Sequence, residues 1–192
     1  MRRRPLLLLP ALLATCASPP VNLYTLAPVP GTPVPTARRT IELRRIGLAG
    51  YLDRSEIVRS DANYRLYVTD RDRWGESFGR MLGRVLIADL SQRLPDATVF
   101  TEAGAVSTDA DLILEIDIEQ FDAGAGGVVT LLAQTAIHRS GTSSATSVRS
   151  FRLTAPLTGP TAADQAATMS TLLAQLADAV ARMVGEERIG SR

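Results

Sequence analysis

The sequence contains few of the residue types that most often carry chemistry. Its 192 residues include one cysteine, Cys16, one histidine, His138, and no lysine, because all 21 basic residues are arginine. A single thiol cannot form a disulfide within the chain, and one histidine alone does not make a metal site. The composition therefore excludes a disulfide-stapled fold and argues against bound zinc.

Long apolar runs are equally scarce. The run from Leu6 to Ala14 follows three arginines and is too short for a membrane-spanning helix, which needs about 20 apolar residues. Its length and its basic flank are typical of a signal-peptide core. No second run reaches bilayer length, so we expect membrane attachment only through the N-terminal region.

Cys16 lies directly behind this leader. Residues 13–16, Leu-Ala-Thr-Cys, resemble a lipobox, the sequence at which bacterial lipoproteins are acylated on cysteine and cleaved before it. We predict a signal peptide at 1–15 and lipidation of Cys16, with no cofactor beyond that covalent lipid. Several acyl chains anchor a protein stably. Ala17, where inner-membrane lipoproteins commonly have Asp, indicates the periplasmic face of the outer membrane. The alternative is an ordinary secretory signal followed by a chance cysteine.

The charge of the processed chain disfavours nucleic acid as a partner. Removal of residues 1–15 takes away three of the 21 basic residues and leaves 18 against 20 acids, a net charge of about −2. Phosphate binding requires a concentrated basic surface.

The rest of the chain divides into three parts. Residues 16–37 contain six of the eleven prolines and predict an extended tether, with an edge strand at 23–26. Residues 38–188 predict a single domain, and 189–192 a short tail.

The hydrophobic pattern of the domain predicts strands, a helix, more strands and a second helix. Residues 112–119 alternate between apolar and mostly acidic positions, which is typical of a half-buried strand. A slip in the alternation at 41–48 predicts a bulged strand. Asp72 is the predicted N-cap of a helix that contains Trp74 and ends before Pro95, and Thr161 with Asp164 predicts a capping box. We expect an α+β fold, a single mixed or mostly antiparallel sheet with two long amphipathic helices on one face.

Three segments resemble catalytic or ligand-binding motifs. Gly75–Gly79 matches the G-x-S-x-G nucleophile elbow, with Ser77 as the nucleophile, but we expect helix there and no preceding core strand. The glycine-rich 122–127 predicts a hairpin turn because a strand follows it. Three carboxylates at 115, 117 and 119 predict a solvated face, since ligands to Ca²⁺ converge from several segments. We therefore predict no enzyme activity and no metal site.

One further pattern resembles a known family. Gly50-Tyr-Leu-Asp-Arg-Ser-Glu-Ile-Val58, then Tyr64-Arg-Leu66, then Arg73-Trp-Gly-Glu76 before a helix, is similar to the PqiC-like auxiliary lipoproteins of ABC-type transport systems, named after paraquat-inducible protein C. The segment Leu23-Tyr24-Thr25-Leu26 is similar to the opening Y-x-L of that family. The strand at 128–138 lacks a tryptophan that is frequent there.

The resemblance implies an auxiliary docking subunit in an MCE-type system that carries lipid between membranes and maintains the cell envelope. Its partner would be a periplasmic MCE-domain protein, with phospholipid as cargo and with the oligomeric state, a homo-oligomer included, left open. The candidate partner-binding residues are Tyr51, Leu52, Asp53, Arg54, Trp74 and Glu76. For Trp74, Asp53 and Arg54 the alternative is a structural role, in the core or in a loop. Addition of a strand at an exposed edge is a second docking route.

Two other functions remain open at this point. The sheet and helices could enclose an apolar cavity and carry lipid directly as a periplasmic binding module. Ser77 could act in a hydrolase.

Overall fold

The computed structural model describes residues 20–102, 104, 108–142 and 145–187. The predicted signal peptide, Cys16 and the tail at 189–192 lie outside the described residues. The described part forms nine strands and two helices in one domain. In chain order they are β1 (Asn22–Tyr24), β2 (Arg39–Leu43), β3 (Gly47–Leu48), β4 (Glu56–Ser60), β5 (Leu66–Trp74), α1 (Phe78–Arg93), β6 (Ala97–Thr101), β7 (Leu112–Ala123), β8 (Val128–Arg139), β9 (Ala145–Pro156) and α2 (Ala162–Glu186).

The long strand β7 organises the sheet. One edge of β7 pairs antiparallel with β8, which in turn pairs with β9. The other edge is shared by β2, β3 and β4, all parallel to β7. Strand β6 extends the sheet beyond β2, while β5 and then β1 extend it beyond β4. The predicted α+β fold with one mixed, open sheet is confirmed.

The alternation in β7 separates the two faces of this sheet. Leu112, Leu114, Ile116 and Ile118 are buried on the face that the helices cover. Asp117 and Glu119, one residue out of phase, are exposed on the opposite face. The apolar stripes of α1 and α2 close one core against the sheet, as a two-layer fold requires.

The second helix begins as predicted, and the first does not. Thr161 and Asp164 form a reciprocal capping box at the start of α2. The prediction of Asp72 as the N-cap of α1 is wrong, because β5 continues through Trp74 and α1 begins only at Phe78. Pairing of 72–74 with β1, and of Arg73 with Glu56, holds this segment extended. Tertiary pairing outweighs the helical spacing of the apolar residues here.

The predicted bulged strand at 41–48 is instead two strands. Strand β2 ends at Leu43 and β3 begins at Gly47, and both lie along the same edge of β7. Backbone hydrogen bonds from the Arg44 amide to the Leu114 carbonyl (3.0 Å) and from the Ala49 amide to the Ile118 carbonyl (2.9 Å) continue the alignment on either side. The change of phase in the apolar alternation at 41–48 thus marks the gap between β2 and β3, where the chain does not pair continuously with β7.

The segment predicted as a tether belongs, from Pro20 onward, to the packed domain. Strand β1 lies at the sheet edge, and residues 25–35, hereafter the strap, run over the groove between the two helices. Leu26 is 1% exposed and packs in the core. The Ala27 amide donates to the Ser170 hydroxyl on α2 (3.1 Å), and the Val34 amide donates to the Arg93 carbonyl on α1 (2.7 Å). Each proline removes an amide donor that would otherwise need a partner.

A buried arginine fastens the strap to both helices. Arg93 is 1% exposed, and its guanidinium donates to the Val29 carbonyl of the strap (3.1 Å) and to Asp178 of α2 (2.5 Å). Asp89, one turn earlier on α1, accepts from the Val29 amide (2.8 Å). Burial raises the pKa of the Asp89 carboxyl, while the Val29 amide and the charge of Arg93 oppose that rise. A Cβ on Gly31 would lie 2.2 Å from Cζ of Arg93, so this position has no room for a side chain.

Candidate functional site

Three of the segments that carry the family resemblance, at 23–26, 50–58 and 73–76, meet at one corner of the sheet, and the fourth, Tyr64–Leu66, lies at the other end of β5. The Trp74 amide donates to the Ser55 carbonyl (2.7 Å), and the Gly75 amide donates to the Tyr24 carbonyl (2.8 Å). Glu56 pairs in register with Arg73 across β4 and β5. Residues 51–56 and 73–76, together with Arg84 of α1, are hereafter the YLDR corner.

Two of the six predicted contact residues form the buried floor of the corner. Leu52 is 3% exposed and Trp74 is 6% exposed. The Trp74 ring stacks on Phe78, with centroids 5.0 Å apart and planes 16° apart, and Phe78 in turn meets Phe121 at 6.2 Å. Both residues lie in the core, so their role in the structure is to support the exposed residues beside them.

Tyr51 pins the loop of the corner to the sheet. Its phenol donates to one carboxylate oxygen of Asp122 (2.8 Å), and the Ser60 hydroxyl donates to the other (2.6 Å). Asp122 is only 1% exposed, and Tyr51 is half-buried. Burial, followed by the bond to Asp122, raises the pKa of the Tyr51 phenol well above its ordinary value. The phenol therefore remains a hydrogen-bond donor across the physiological pH range.

The exposed side of the corner is a set of ion pairs. Asp53 and Arg54 are exposed, and Nε of Arg54 lies 3.2 Å from Oε2 of Glu56. Arg73 approaches the other oxygen of Glu56 at 3.9 Å. The pKa of Glu56 is lowered, first by a hydrogen bond from its own backbone amide and then by Arg54 and Arg73.

Glu76 extends this charged surface onto α1. Its Oε1 accepts from Nη2 of Arg84 (2.7 Å) and from Nε of Arg84 (3.0 Å), and Arg84 also donates to the Thr25 hydroxyl (3.1 Å). The sequence pattern alone did not indicate roles for Glu56, Arg73 or Arg84. A strand assignment through Trp74 would have indicated Arg73, because it places that residue opposite Glu56.

The charges of the corner are balanced. Three arginines, at 54, 73 and 84, stand among three carboxylates, at 53, 56 and 76. The side chains in the pairs of the corner are between 25% and 50% exposed. Such exposed ion pairs can break at little cost in free energy. The pattern of positive and negative charge on the surface favours binding proteins with the complementary pattern.

Ser77 does not have the geometry of a nucleophile elbow. A strand does precede it, since β5 leads through Gly75 and Glu76 into α1, but all residues of β5 except Trp74 are exposed or half-buried, so it is not the core strand that the motif requires. Ser77 also has an ordinary backbone conformation (φ −58°, ψ 133°) and caps α1 without a side-chain hydrogen bond. A nucleophile elbow instead holds its serine on a sharp, strained turn. His138, the lone histidine, has Nε2 2.9 Å from Oε2 of Glu115, so its described partner is a carboxylate on another strand.

The open face of the sheet carries a shallow, charged concavity. It has a volume of about 380 Å³, and its lining includes Arg44, Arg45, Glu115, Asp117 and Gln134. Glu115 accepts from Arg44 as well as meeting His138. Across 20–102, 104, 108–142 and 145–187, no cluster of three His, Cys, Asp or Glu side chains is placed to hold a metal ion. None of the helices in those ranges is long and apolar enough to span a bilayer.

Comparison with solved structures shows the same fold in other proteins. A crystal structure of an uncharacterized protein is 17% identical, with a TM-score of 0.72, and the match covers 86% of this chain and 99% of that chain. A protein from Xanthomonas campestris with the family model DUF330 is 19% identical, with a TM-score of 0.69, over 86% of this chain and 92% of its own. A comparison with curated proteins found no match.

The family comparison covers most of the described domain. The model of the ABC-type transport auxiliary lipoprotein component matches residues 24–181. This range runs from Tyr24 of β1 through the YLDR corner and into the last turns of α2. The resemblance predicted from the YLDR and RWGE segments is confirmed. The chain therefore belongs to the family of ABC-type transport auxiliary lipoprotein components.

Proposed function

We propose that this protein is a lipid-anchored docking subunit, without catalysis of its own, of an MCE-type ABC system that moves lipid between membranes and maintains the envelope. Cys16 carries the anchor, and the chain lies on the periplasmic face of the outer membrane. Its partner is a periplasmic MCE-domain protein, and the YLDR corner is the surface that meets it.

The observation that carries this proposal is the composition of the corner. Segments separated by about twenty residues in the sequence, Tyr51–Glu56 and Arg73–Glu76, fold into one surface with buried aromatic support and exposed charges. Tyr51, Leu52 and Trp74 fix the backbone, so Asp53, Arg54 and Glu76 are presented in a set arrangement. Rigid presentation of charge reduces the entropy lost on binding.

The exposed pairs are better suited to recognition than to stability. An exposed ion pair contributes about 0–1 kcal/mol to folding, because water and side-chain entropy offset its attraction. Charges arranged in a complementary pattern do more for the choice of partner and for the rate of association. The corner contains enough such pairs to be specific while leaving the fold nearly independent of them.

The concavity on the open face supports docking over lipid carriage. A site for an acyl chain is expected to be an enclosed cavity. The concavity is instead shallow and open to solvent, lies on the face opposite the helices, and has Arg44, Glu115 and Asp117 beside Ile116, Ala136 and Val148 in its lining. In the proposed system the phospholipid cargo travels with the MCE-domain partner.

Site-specific crosslinking in intact cells tests the proposal. A photo-reactive amino acid replaces Arg54 in the corner or, as a control, Arg149 on β9. Arg149 is similarly exposed and pairs with Glu186 at the opposite edge of the sheet. We expect an MCE-domain protein to be crosslinked from position 54 and not from 149. Equal crosslinking from both positions, or adducts with unrelated envelope proteins only, would contradict the assignment.

A Cys16→Ser variant, exported without its acyl chains, tests the lipid-carrier alternative. Docking predicts that the purified variant contains no phospholipid in stoichiometric amount by mass spectrometry. Stoichiometric phospholipid would favour the carrier function instead.

A further inference from the structure

Most of the large apolar side chains on the surface lie near one end of the sheet. Among the residues that the structure describes, seven of this kind are exposed: Val21, Leu23, Tyr64, Leu66, Tyr67, Val128 and Val148. Three of them belong to the β4–β5 hairpin, where Tyr64 is 98% exposed, Tyr67 47% and Leu66 45%. A cluster of this kind on a surface marks a contact with a partner or a membrane.

The β7–β8 turn lies at the same end as this hairpin. Strand β4 runs parallel to β7, with Arg59 beside Ala123, so both strands finish together. The Ser60 hydroxyl donates to Asp122 (2.6 Å), next to the turn. Val128, 38% exposed, begins β8 there. Residues 61–67 and 124–128 are hereafter the hairpin end.

The tip of the hairpin is built to present Tyr64. The Asp61 carboxylate accepts from the amides of Asn63 (2.9 Å) and Arg65 (3.0 Å) and fixes the turn. Tyr64 has a φ of 61°, in the left-handed region that bulky residues rarely occupy. No burial of the ring accounts for this conformation, because the ring projects into solvent. Strain of this kind is typical of functional positions.

The N-terminal end of β1 faces the hairpin end. Strand β1 is parallel to β5, with Asn22 beside Asp72 and Tyr24 beside Trp74. The first residue of β1, Asn22, is therefore the one nearer to the start of β5, at Leu66. Cys16 is five residues before Val21, a reach of at most about 18 Å for extended chain. Leu66 is five residues before Arg71, so the proposed lipid anchor has the length needed to reach the level of the hairpin.

We propose that the hairpin end rests on the phospholipid surface to which Cys16 anchors the chain. Tyr64, Leu66 and Tyr67 enter the headgroup region. Arg65 has its Nε 3.2 Å from the Asp61 carboxylate, and its side chain, 80% exposed, offers its remaining N–H groups to lipid phosphates. Tyrosine rings, apolar with one polar tip, concentrate at that depth of a bilayer, and arginine binds phosphate with its planar fork. This proposal depends on the lipid anchor of the proposed function.

The contact would orient the docking surface. The YLDR corner contains Trp74, the last residue of β5, whereas the hairpin end contains Leu66, the first residue of that strand. With the hairpin end on the membrane, β5 points the corner away from the lipid and toward a partner in the periplasm.

Fluorescence quenching in vesicles tests this arrangement. The full, acylated chain is reconstituted into phosphatidylethanolamine–phosphatidylglycerol vesicles with or without brominated acyl chains. Tyr64→Trp places a reporter on the tip, and the matched control is Val148→Trp, which is 60% exposed in the native chain and near the opposite end of the sheet. The native Trp74 is buried and supplies the baseline. We expect brominated lipid to quench most of the added emission at position 64 and none at 148.

Three outcomes would overturn the proposal. If the chain floats with the vesicles and position 64 is unquenched, the anchor stands and the hairpin contact is wrong. If the chain does not float, both the anchor and the contact are wrong. If a photo-reactive amino acid at position 64 crosslinks in cells to a protein and not to phospholipid, the hairpin is a protein-binding surface. Crosslinking from position 54 tests the docking role independently of all three.

Discussion

The strap and the YLDR corner both use arginine–carboxylate pairs, but in opposite environments. Arg93 under the strap is 1% exposed, and Asp89 beside it is 0% exposed. In the corner, the Arg54 side chain is 43% exposed and Glu56 is 26% exposed. In the buried Arg93 network, loss of one partner leaves an uncompensated charge in the core. In the corner, water screens the charges, so loss of one partner costs little free energy.

This difference separates folding from recognition. The Arg93 network joins the strap, α1 and α2, so the domain needs it in order to hold its N-terminal segment in place. The corner contains exposed pairs that contribute little to folding, on a backbone that Tyr51 and Trp74 fix. We infer that stability depends mainly on the strap, and that the proposed partner binding depends on the corner.

Removal of the buried arginine is expected to have the largest effect. Arg93→Met keeps the length of the side chain but leaves the Asp89 carboxylate buried without its cationic partner. We expect the free energy of unfolding, measured by urea denaturation, to fall by about 3–5 kcal/mol. Arg149→Met, at an exposed pair, is the control and should change stability by less than about 1 kcal/mol. Equal losses in the two variants would show that burial does not distinguish the networks.

The second-largest loss of stability is expected at Leu26, the buried apolar residue that holds the strap in the core. Leu26→Ala removes a fully buried side chain and should cost about 2–5 kcal/mol, with a cavity left between strap and helices. Leu23→Ala, only three residues earlier, removes a side chain that is 69% exposed and should cost less than about 0.5 kcal/mol. A loosely held tether would predict small losses in both variants, as measured by the same denaturation.

The capping box of α2 is expected to make a smaller contribution to stability, one that depends on pH. Hydrogen bonds from the side chain and backbone of Thr161 lower the pKa of the Asp164 carboxyl below its ordinary value, which is about 3.9. The ionised form is thus favoured in the folded state. Its contribution is present above the ordinary pKa and is lost as the pH falls through the lower, folded pKa. We expect Asp164→Asn to flatten the fall in stability below about pH 4, measured as Tm against pH. An unchanged profile would count against this role.

Charge reversal in the corner is expected to change stability least. Arg54→Glu removes its pair with Glu56, and Glu76→Arg opposes Arg84. Each should shift the free energy of unfolding by about 1 kcal/mol or less. Recovery of the proposed MCE-domain partner in a pull-down should nevertheless fall sharply, since like charges would then face each other across the proposed interface. Normal recovery from both variants would move the docking surface elsewhere.

The sequence predicted the parts of the fold in which local pattern and environment agree. The alternation in β7 follows directly from one covered and one open face, and the Thr161–Asp164 spacing identified the start of α2. The start of α1 was missed because 72–74 owes its extended form to β1 and β4, which are distant in sequence. The Arg93 network was missed for the same reason, since nothing near Arg93 in the chain indicates that Val29 and Gly31 cover it.

The candidate site was predicted only in part. The motif located the corner, yet Leu52 and Trp74 proved to be its floor, and Glu56, Arg73 and Arg84 complete its charged surface. Partners that depend on β4–β5 register and on the position of α1 cannot be identified from spacing alone. The bond from Tyr51 to Asp122 likewise joins residues 71 positions apart.

The most direct test of the central claim combines binding and stability in the same samples. Cells carrying the native chain or Arg54→Glu are crosslinked, the envelope is solubilised in detergent, and proteins recovered with the chain are identified by mass spectrometry. We expect an MCE-domain protein with the native chain, its loss with Arg54→Glu, and a Tm for that variant within about 4 °C of the native value. Equal recovery with both chains, or recovery of unrelated envelope proteins alone, would contradict it.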